Sequence, residues 1–396
     1  MASSSLLSYL EFYGKALAAP SSKIKLAERI AGLIEDRIVV EAWPVGYPLG
    51  READLAAAAQ VSRWSLREAI ALLEQIGMVE SRRGRNGGLY VASTLFDAVR
   101  TGLSNYLEFL GPSPAQIRAA RRALESLLLK QAARHLDEHA RQRLTVQLAA
   151  VGNSFGSEML AATAQLRSTL IDLSANPALS LFIHAMGQTL IHACWYSTLD
   201  DVAFRKLMHA MSRSTCSTVE ALLDGDLLRA QEWEDEFLEH FEHVFQHSAM
   251  ITLASTREGA LERVDTLFPI SRPPKKAEHI ARSLRQQILE AGWPVGLVLG
   301  SEADLMTRFK VGRAVIREAI RSLERLGVVE MGRGGASGLR VVQPDPAQMI
   351  GACSRYLRRA SLSVDDRADI REALLKPELA TDNPIAQILL KVLEQL

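Results

Sequence analysis

The chain repeats itself: residues 27–91 match residues 277–341 at a constant offset of 250, without a gap. Roughly half the aligned positions are identical, against the few per cent expected of stretches that share only average composition. AWPVGYPLGREADL returns as GWPVGLVLGSEADL, and REAIALLEQIGMVESRRG returns as REAIRSLERLGVVEMGRG. A duplicated stretch of this kind is a module with its own core, so the chain holds two copies of a small domain and a long segment between them.

Changes of period within each copy give its shape. Over residues 24–40 the apolar side chains Leu26, Ile30, Leu33, Ile34 and Ile38 recur at helical spacing, which predicts an amphipathic helix ended by Trp-Pro-Val-Gly. A short second helix is predicted over residues 52–59, and a third after Ser62, a residue type suited to cap it. In that third helix Leu66, Ile70, Leu73 and Ile76 form one buried stripe, and Gly77 closes it. Arg63 and Arg67 share another face. Two short apolar segments, residues 78–80 and 89–91, joined by SRRGRNGG, predict a hairpin with a basic tip. Three helices followed by such a hairpin make a winged helix-turn-helix.

A helix lying in the major groove needs side chains near its N-terminus that reach base edges, and arginine can donate two hydrogen bonds to guanine O6 and N7. Arg63 and Arg67, with Arg313 and Arg317 in the second copy, occupy such places, with Trp64 and Ser65 between the first pair. Arg82, Arg83 and Arg85 in the first wing can grip phosphates or the adjacent minor groove, and glycines such as Gly87 let the backbone come close. The second wing keeps Arg333 among glycines that include Gly335, so a smaller contribution is expected from it. An isolated arginine pair on a helix is ordinarily a solvated surface, or pairs with neighbours such as Glu68 and Glu74. The same pair found twice, each time opening the third helix ahead of a glycine-rich wing, favours contact with double-stranded DNA.

Composition supplies no shortcut to that conclusion. The 396 residues carry 46 Lys and Arg against 46 Asp and Glu, so no global positive field draws nucleic acid and the DNA reading rests on local patches. Cys194, Cys216 and Cys353 are scattered and lack metal-ligand spacing, which points away from a disulfide framework or zinc finger and towards a reducing cytoplasm. The first twenty residues place Glu11 within their apolar stretch and no basic segment before it, so a signal peptide is not expected. There is no uninterrupted apolar run of about eighteen residues, and no membrane partner is expected. Without a phosphate loop, nucleophile elbow or HExxH, no catalytic residue is assigned and an enzyme is not expected.

LGREADLAAAAQVSRWSLREAIALLEQIGMVESRRGRNGG and its twin resemble the GntR family of bacterial regulators, whose pattern runs from an acidic second helix through SR...REA...LE..G to a basic wing. The resemblance implies that Arg63, Arg67, Arg313 and Arg317 contact operator bases. One departure is plain: the arginine that usually follows the glutamate opening the second helix is replaced by Ala53 and Ala303. Arg51 is the candidate substitute in the first copy, whereas the second has Ser301 there. Trp64 against Ala314 and Ser65 against Val315 imply that the two heads differ in sequence preference or strength.

From 114 to 250 the pattern is helical, and IRAARRALESLLLKQAARHL, DLSANPALSLFIHAM and VEALLDGDLLRAQEWEDEFLEH resemble the all-helical FCD effector domain of FadR-type GntR proteins. That resemblance implies a divalent metal held by one aspartate and three histidines, with a carboxylate effector on it. The four positions fall here on Thr163, Arg167, Thr215 and Phe237, so the metal site is expected to be lost and no cofactor is expected. His184, His192, His209, His240 and His243 read as solvated or packed side chains. A small carboxylate effector, if bound, would meet Arg167 directly, with Arg121 and Asn176 nearby.

LSVDDRADIREALLKPELA and DNPIAQILLKVLEQL resemble the start and the Asn-Pro junction of a second such domain, interrupted at Pro377 and lacking most of its middle, and are expected to pack on the central one. The layout expected is an N-terminal arm (1–20), a first winged helix-turn-helix (21–93), an all-helical effector and dimerisation domain (94–255), a linker (256–273), a second winged helix-turn-helix (274–343) and a degenerate tail (344–396). The fold class is mainly α. The expected function is a homodimeric, sequence-specific regulator, most simply a repressor. The helical domain is expected to sense a small anionic metabolite; the rival reading is an effector-independent DNA-binding or protein-interaction scaffold whose helical domain has lost ligand sensing, and a pure scaffold would bind DNA weakly and without sequence preference.

Overall fold

The computed structural model describes residues 6–17, 26–41, 43–75, 78–82, 87–92, 95–196, 201–248, 276–332, 338–376, 379 and 382–396. The chain is mainly helical, with 17 helices and two small three-stranded sheets among those residues.

The first module comprises α2 (Leu26–Val40), β1 (Pro48–Gly50), α3 (Glu52–Ala58), α4 (Arg63–Gln75), β2 (Val79–Arg82) and β3 (Gly88–Val91). Ile30, Ile34 and Ile38 of α2 meet Leu66, Ile70 and Leu73 of α4, and Leu55 of α3 closes the core, as their helical spacings require. The predicted first helix begins at Leu26, and residues 24, 25, 76 and 77, Gly77 included, lie outside the described residues. Strand β3 runs between β1 and β2, antiparallel to both, with Val79 opposite Val91 and Arg82 opposite Gly88. Strand β1 was not expected, because three residues with a shifted register carry no readable period. Within the N-terminal arm, residues 6–17 form α1 (Leu6–Leu17), whose buried Leu6 and Leu10 pack on the first module.

The second module repeats the plan in α12 (Lys276–Glu290), β4 (Val298–Gly300), α13 (Glu302–Phe309), α14 (Arg313–Arg325), β5 (Val329–Met331) and β6 (Leu339–Val341), around its own core. Its sheet has the same strand order, β4-β6-β5.

Between the modules lies a helical body of α5 (Leu95–Leu110), α6 (Pro114–Arg134), α7 (Glu138–Gly152), α8 (Gly156–Asp172), α9 (Pro177–Tyr196), α10 (Asp201–Leu223) and α11 (Leu227–Ser248). The expected linker, 256–273, lies outside the described residues. The tail folds as α15 (Pro346–Arg359), α16 (Val364–Leu374) and α17 (Pro384–Glu394). Helix α15 lies along α5, while α16 and α17 pack on α6, so one continuous core runs from the first module through α5, α6 and α9 into the tail. Helix α16 ends at Leu374, and Pro377 lies outside the described residues. Among the described residues, no helix is long and apolar enough to cross a membrane.

Candidate nucleic-acid interface

Helix α4 opens with its polar face bare. Ser62 precedes it and accepts a hydrogen bond from the Ser65 N–H at 3.0 Å, satisfying a donor that the first turn leaves open. Arg63, Trp64 and Arg67 follow in the first turns, all exposed, with Trp64 at 72%. Exposed apolar side chains occur elsewhere, as at Phe155 and Leu228, so Trp64 counts only through its place between two exposed arginines. Ser65 is half-buried, and its counterpart Val315 leans on the second core, so this pair differs more in packing than in what it shows to solvent. Arg313, Ala314 and Arg317 repeat the exposed face on α14.

The recognition arginines are braced by a residue that sequence reasoning left aside. The Arg67 Nε donates to Glu52 Oε1 at 2.5 Å, and Arg317 Nε donates to the two oxygens of Glu302 at 3.0 and 3.1 Å. Arg313 shares Glu302, at 3.0 Å. Each glutamate is the first residue of the preceding helix, where the helix dipole favours a carboxylate. Engaging Nε leaves the terminal nitrogens of Arg67 and Arg317 to act as a fork. The neighbours Glu68 and Glu74 take no part in this: Glu74 accepts from the Ser81 N–H at 2.8 Å, and its counterpart Glu324 from the Met331 N–H at 3.0 Å. These bonds tie the end of each recognition helix to its wing. Glu52 with Glu302 and Glu74 with Glu324 are identical in both copies, which was the available signal.

Arg51 is exposed at the N-cap of α3 and makes no side-chain cap, whereas Ser301 caps α13, its Oγ accepting from the Asp304 N–H at 3.2 Å. The two heads therefore differ at this position as well. In the wing, Arg82 pairs with Glu80 at 2.6 Å and lies 4.1 Å over the ring of Tyr90, an arrangement that holds the guanidinium on the strand. Gly87 is half-buried at the start of the returning strand; Arg83, Arg85, Arg333 and Gly335 lie outside the described residues. Gly88 has no room for a side chain, since a Cβ there would sit 2.9 Å from the Gly50 carbonyl oxygen. Its counterpart Gly338 is crowded in the same way by Val298.

Each unit, with three helices, a short sheet and exposed arginines leading the third helix, is a winged helix-turn-helix, the class of module that lays a helix in the major groove of DNA. Comparison with known proteins is consistent with this. The family described as "Bacterial regulatory proteins, gntR family" matches residues 26–91 and again residues 276–339, so each module is similar to that family's over its length. The chain is 42% identical over 65 residues to an uncharacterized HTH-type transcriptional regulator of Mycobacterium tuberculosis, covering 16% of this chain and 27% of that one. It is 36% identical over 86 residues to the HTH-type transcriptional repressor NanR of Citrobacter rodentium, covering 22% of this chain and 32% of the relative. The matches thus span about a third or less of these relatives. A solved structure described as Streptococcus agalactiae GntR aligns at 19% identity over 55% of this chain and 99% of its own, with a TM-score of 0.36, too low to bear on the fold.

In the body, the positions implied for a metal hold a buried charge cluster instead. Arg167 of α8 bonds Glu125 of α6 at 2.7 Å and also Glu234 of α11, while Arg121 pairs with Glu125. Burial works against the charge on Glu125, yet Arg121 and Arg167 hold its carboxyl down at about 2. Burial pushes Glu234 the other way, up to about 7, with Glu125 adding to the rise against the pull of Arg167. The Thr163 hydroxyl bonds that of Ser212 at 2.8 Å, Thr215 is buried, and Phe237 is half-buried. This set does not fit a divalent cation, because a guanidinium held by two carboxylates stands among its members. Among the described residues, no group of three or more His, Cys, Asp or Glu is placed to hold a metal. Asn176 is buried and caps α9, its Oδ1 accepting from the N–H groups of Ala178 and Leu179 at 3.1 Å. His184 is half-buried and bonds the Ser180 carbonyl; the side chains of His192, His240 and His243 lie outside the described residues.

Proposed function

We propose that this protein is a sequence-specific DNA-binding transcriptional regulator, a repressor that occupies its operator with two unlike heads. The observation that carries the reading is the duplicated brace: Glu52 on Arg67 and Glu302 on Arg317, each orienting an exposed guanidinium near the start of a recognition helix. A solvated ornamental arginine has no need of a fixed carboxylate fifteen residues upstream in both copies. The relative named as a repressor supports the sign of regulation. The helical body sets the distance between heads, and with it the spacing of half-sites.

Selection of binding sites from random duplex DNA tests the proposal, with Arg67→Ala and Arg317→Ala beside the wild type. Each substitution should cost about 1–3 kcal/mol and relax preference at one base position. Enrichment that is the same for all three proteins would refute it.

For the body, the reading supported best is one without ligand sensing at the family's site. Arg167, the group an anionic effector would have to find, is already held by Glu125 and Glu234 of its own chain. A carboxylate ligand would have to displace a buried internal partner, which the low-dielectric setting makes costly.

A further inference from the structure

We propose that the two heads of one chain pair with each other, and that inverted charges at their two reciprocal contacts forbid either head from pairing with its own kind. This rests on the DNA-binding reading above and makes the operator an asymmetric one, read by a single chain.

The heads meet across a near-two-fold axis. The cleft between them is lined by equivalent residues from both copies, Glu74 with Glu324, Glu80 with Glu330 and Ala71 with Arg321. The helix that leaves each wing crosses to the other head, α5 from the first docking on α12 of the second, and α15 from the second docking on α2 of the first. At the first crossing Arg285 of α12 donates to Glu108 of α5 at 2.6 Å and to the Asn105 amide oxygen, all three side chains buried. The Asn105 amide in turn donates to the Leu326 carbonyl at 3.3 Å, and Phe109 meets Trp293 edge-on at 5.7 Å. At the second crossing Arg359 of α15 donates to Glu35 and Asp36 of α2, with Glu35 buried.

The offset of 250 makes Arg285 the counterpart of Glu35, and Glu108 the counterpart of Arg358, which stands beside Arg359. Every charge that the first module and the helix leaving its wing bring to these contacts is therefore acidic, Glu35, Asp36 and Glu108, and those of the second module and its following helix, Arg285 and Arg359, are basic. Two first modules paired in this way would set Glu35 and Asp36 against Glu108. Two second modules would set Arg285 against Arg358 and Arg359. Like charges buried face to face are strongly unfavourable in interfaces, so the two halves are complementary to each other and not to themselves. The pairing leaves Arg63, Arg67, Arg313 and Arg317 exposed.

The test uses the full chain, a random duplex pool and native mass measurement of the complexes. The expected product is one chain on one duplex, carrying two unlike half-sites at a single spacing, with Arg67→Ala erasing one half and Arg317→Ala the other by roughly tenfold or more. Arg285→Glu should broaden the spacing, and adding Glu108→Arg to it should restore the single spacing. Identical half-sites, two chains each giving the same head, a spacing indifferent to Arg285→Glu, or a double variant no better than the single would each overturn the pairing. A pool that yields no enriched sequence refutes the regulator reading and leaves the pairing to a DNA-free assay. In that assay, Glu108→Cys with Arg285→Cys in the full chain is joined with a short bismaleimide, because the Cα atoms behind a tip-to-tip Arg–Glu pair stand too far apart for a direct disulfide, and is sized beside each single-cysteine variant. A cross-linked monomer sustains the pairing, whereas a cross-linked dimer or no cross-link overturns it.

Discussion

Arg67 is largely open to solvent and Glu52 partly so, and their 2.5 Å ion pair adds little to folding, about 0.5 kcal/mol. Its value lies in orientation: a long side chain held at Nε loses less freedom when its terminal nitrogens meet a base. Glu52→Gln should therefore leave thermal unfolding unchanged and weaken binding to the selected site severalfold, less than Arg67→Ala does. Equal losses from both substitutions would mean that Glu52 contributes more than orientation. The buried cluster obeys different rules. A Glu234 carboxyl raised to about 7 in the fold, against an ordinary 4.5, adds stability that is full below about pH 4.5 and lost as pH rises through 7. Glu125, held at about 2, contributes in the opposite sense, above 4.5, and loses its share only in strong acid. Between about pH 6 and about pH 8 the urea midpoint should fall, and Glu234→Gln, which carries no charge at either pH, should flatten that slope. A wild-type midpoint that does not move would place Glu234 as a permanent anion on Arg167.

Helix boundaries follow from groups that short sequence windows contain, and tertiary placement does not. Asn383 opens α17 with its Oδ1 accepting from the N–H groups of Ile385 and Ala386 at 3.0 and 3.2 Å, as Asn176 does for α9. Its amide also donates to the Gln116 carbonyl at 2.9 Å, tying the tail to α6. Asn383→Ala should cost about 1–2 kcal/mol, read as a lower unfolding midpoint, whereas Asn383→Ser, a neutral residue that can still cap, should recover part of that loss and forgo the bond to Gln116. The Asn-Pro pair was legible in the sequence because a cap and a proline are local signals. So were α2 to α4, whose apolar stripes recur every three to four residues, and the wing, whose glycines mark a close approach at Gly88. Strand β1 was too short to show a period, and the Arg121–Glu125–Arg167–Glu234 cluster joins three helices distant in sequence, so nothing local announced it. The pairing of Glu52 with Arg67 was half visible: identity across the repeat marked the glutamate, but only the turn between α3 and α4 brings the two together.

At the level of the whole molecule, two similar heads, a helical body and a three-helix tail share one polypeptide of zero formal charge. Formal net charge is zero, so no long-range field steers the protein to DNA, and association should proceed at about 10⁵–10⁷ M⁻¹s⁻¹, without the enhancement that charge complementarity gives. Affinity must then come from contacts made after encounter, and these are local: exposed arginines on α4, α14 and the wing. Counterion release counts phosphates neutralised, not net protein charge, with a slope near 0.9 per contact on B-form DNA. Equilibrium binding should accordingly fall steeply with salt while the association rate changes little, so that salt acts mainly through dissociation. Arg82 sits on the strand beside Glu80 and serves as the phosphate probe. Arg82→Ala should lower the salt slope by about one on selected and random DNA alike, whereas Arg67→Ala should change sequence preference more than slope. Stopped-flow association and equilibrium titration at several salt concentrations separate the two quantities. An association rate that collapses with salt as fast as affinity does would show that a basic face dominates the neutral whole and draws DNA in before either recognition helix engages.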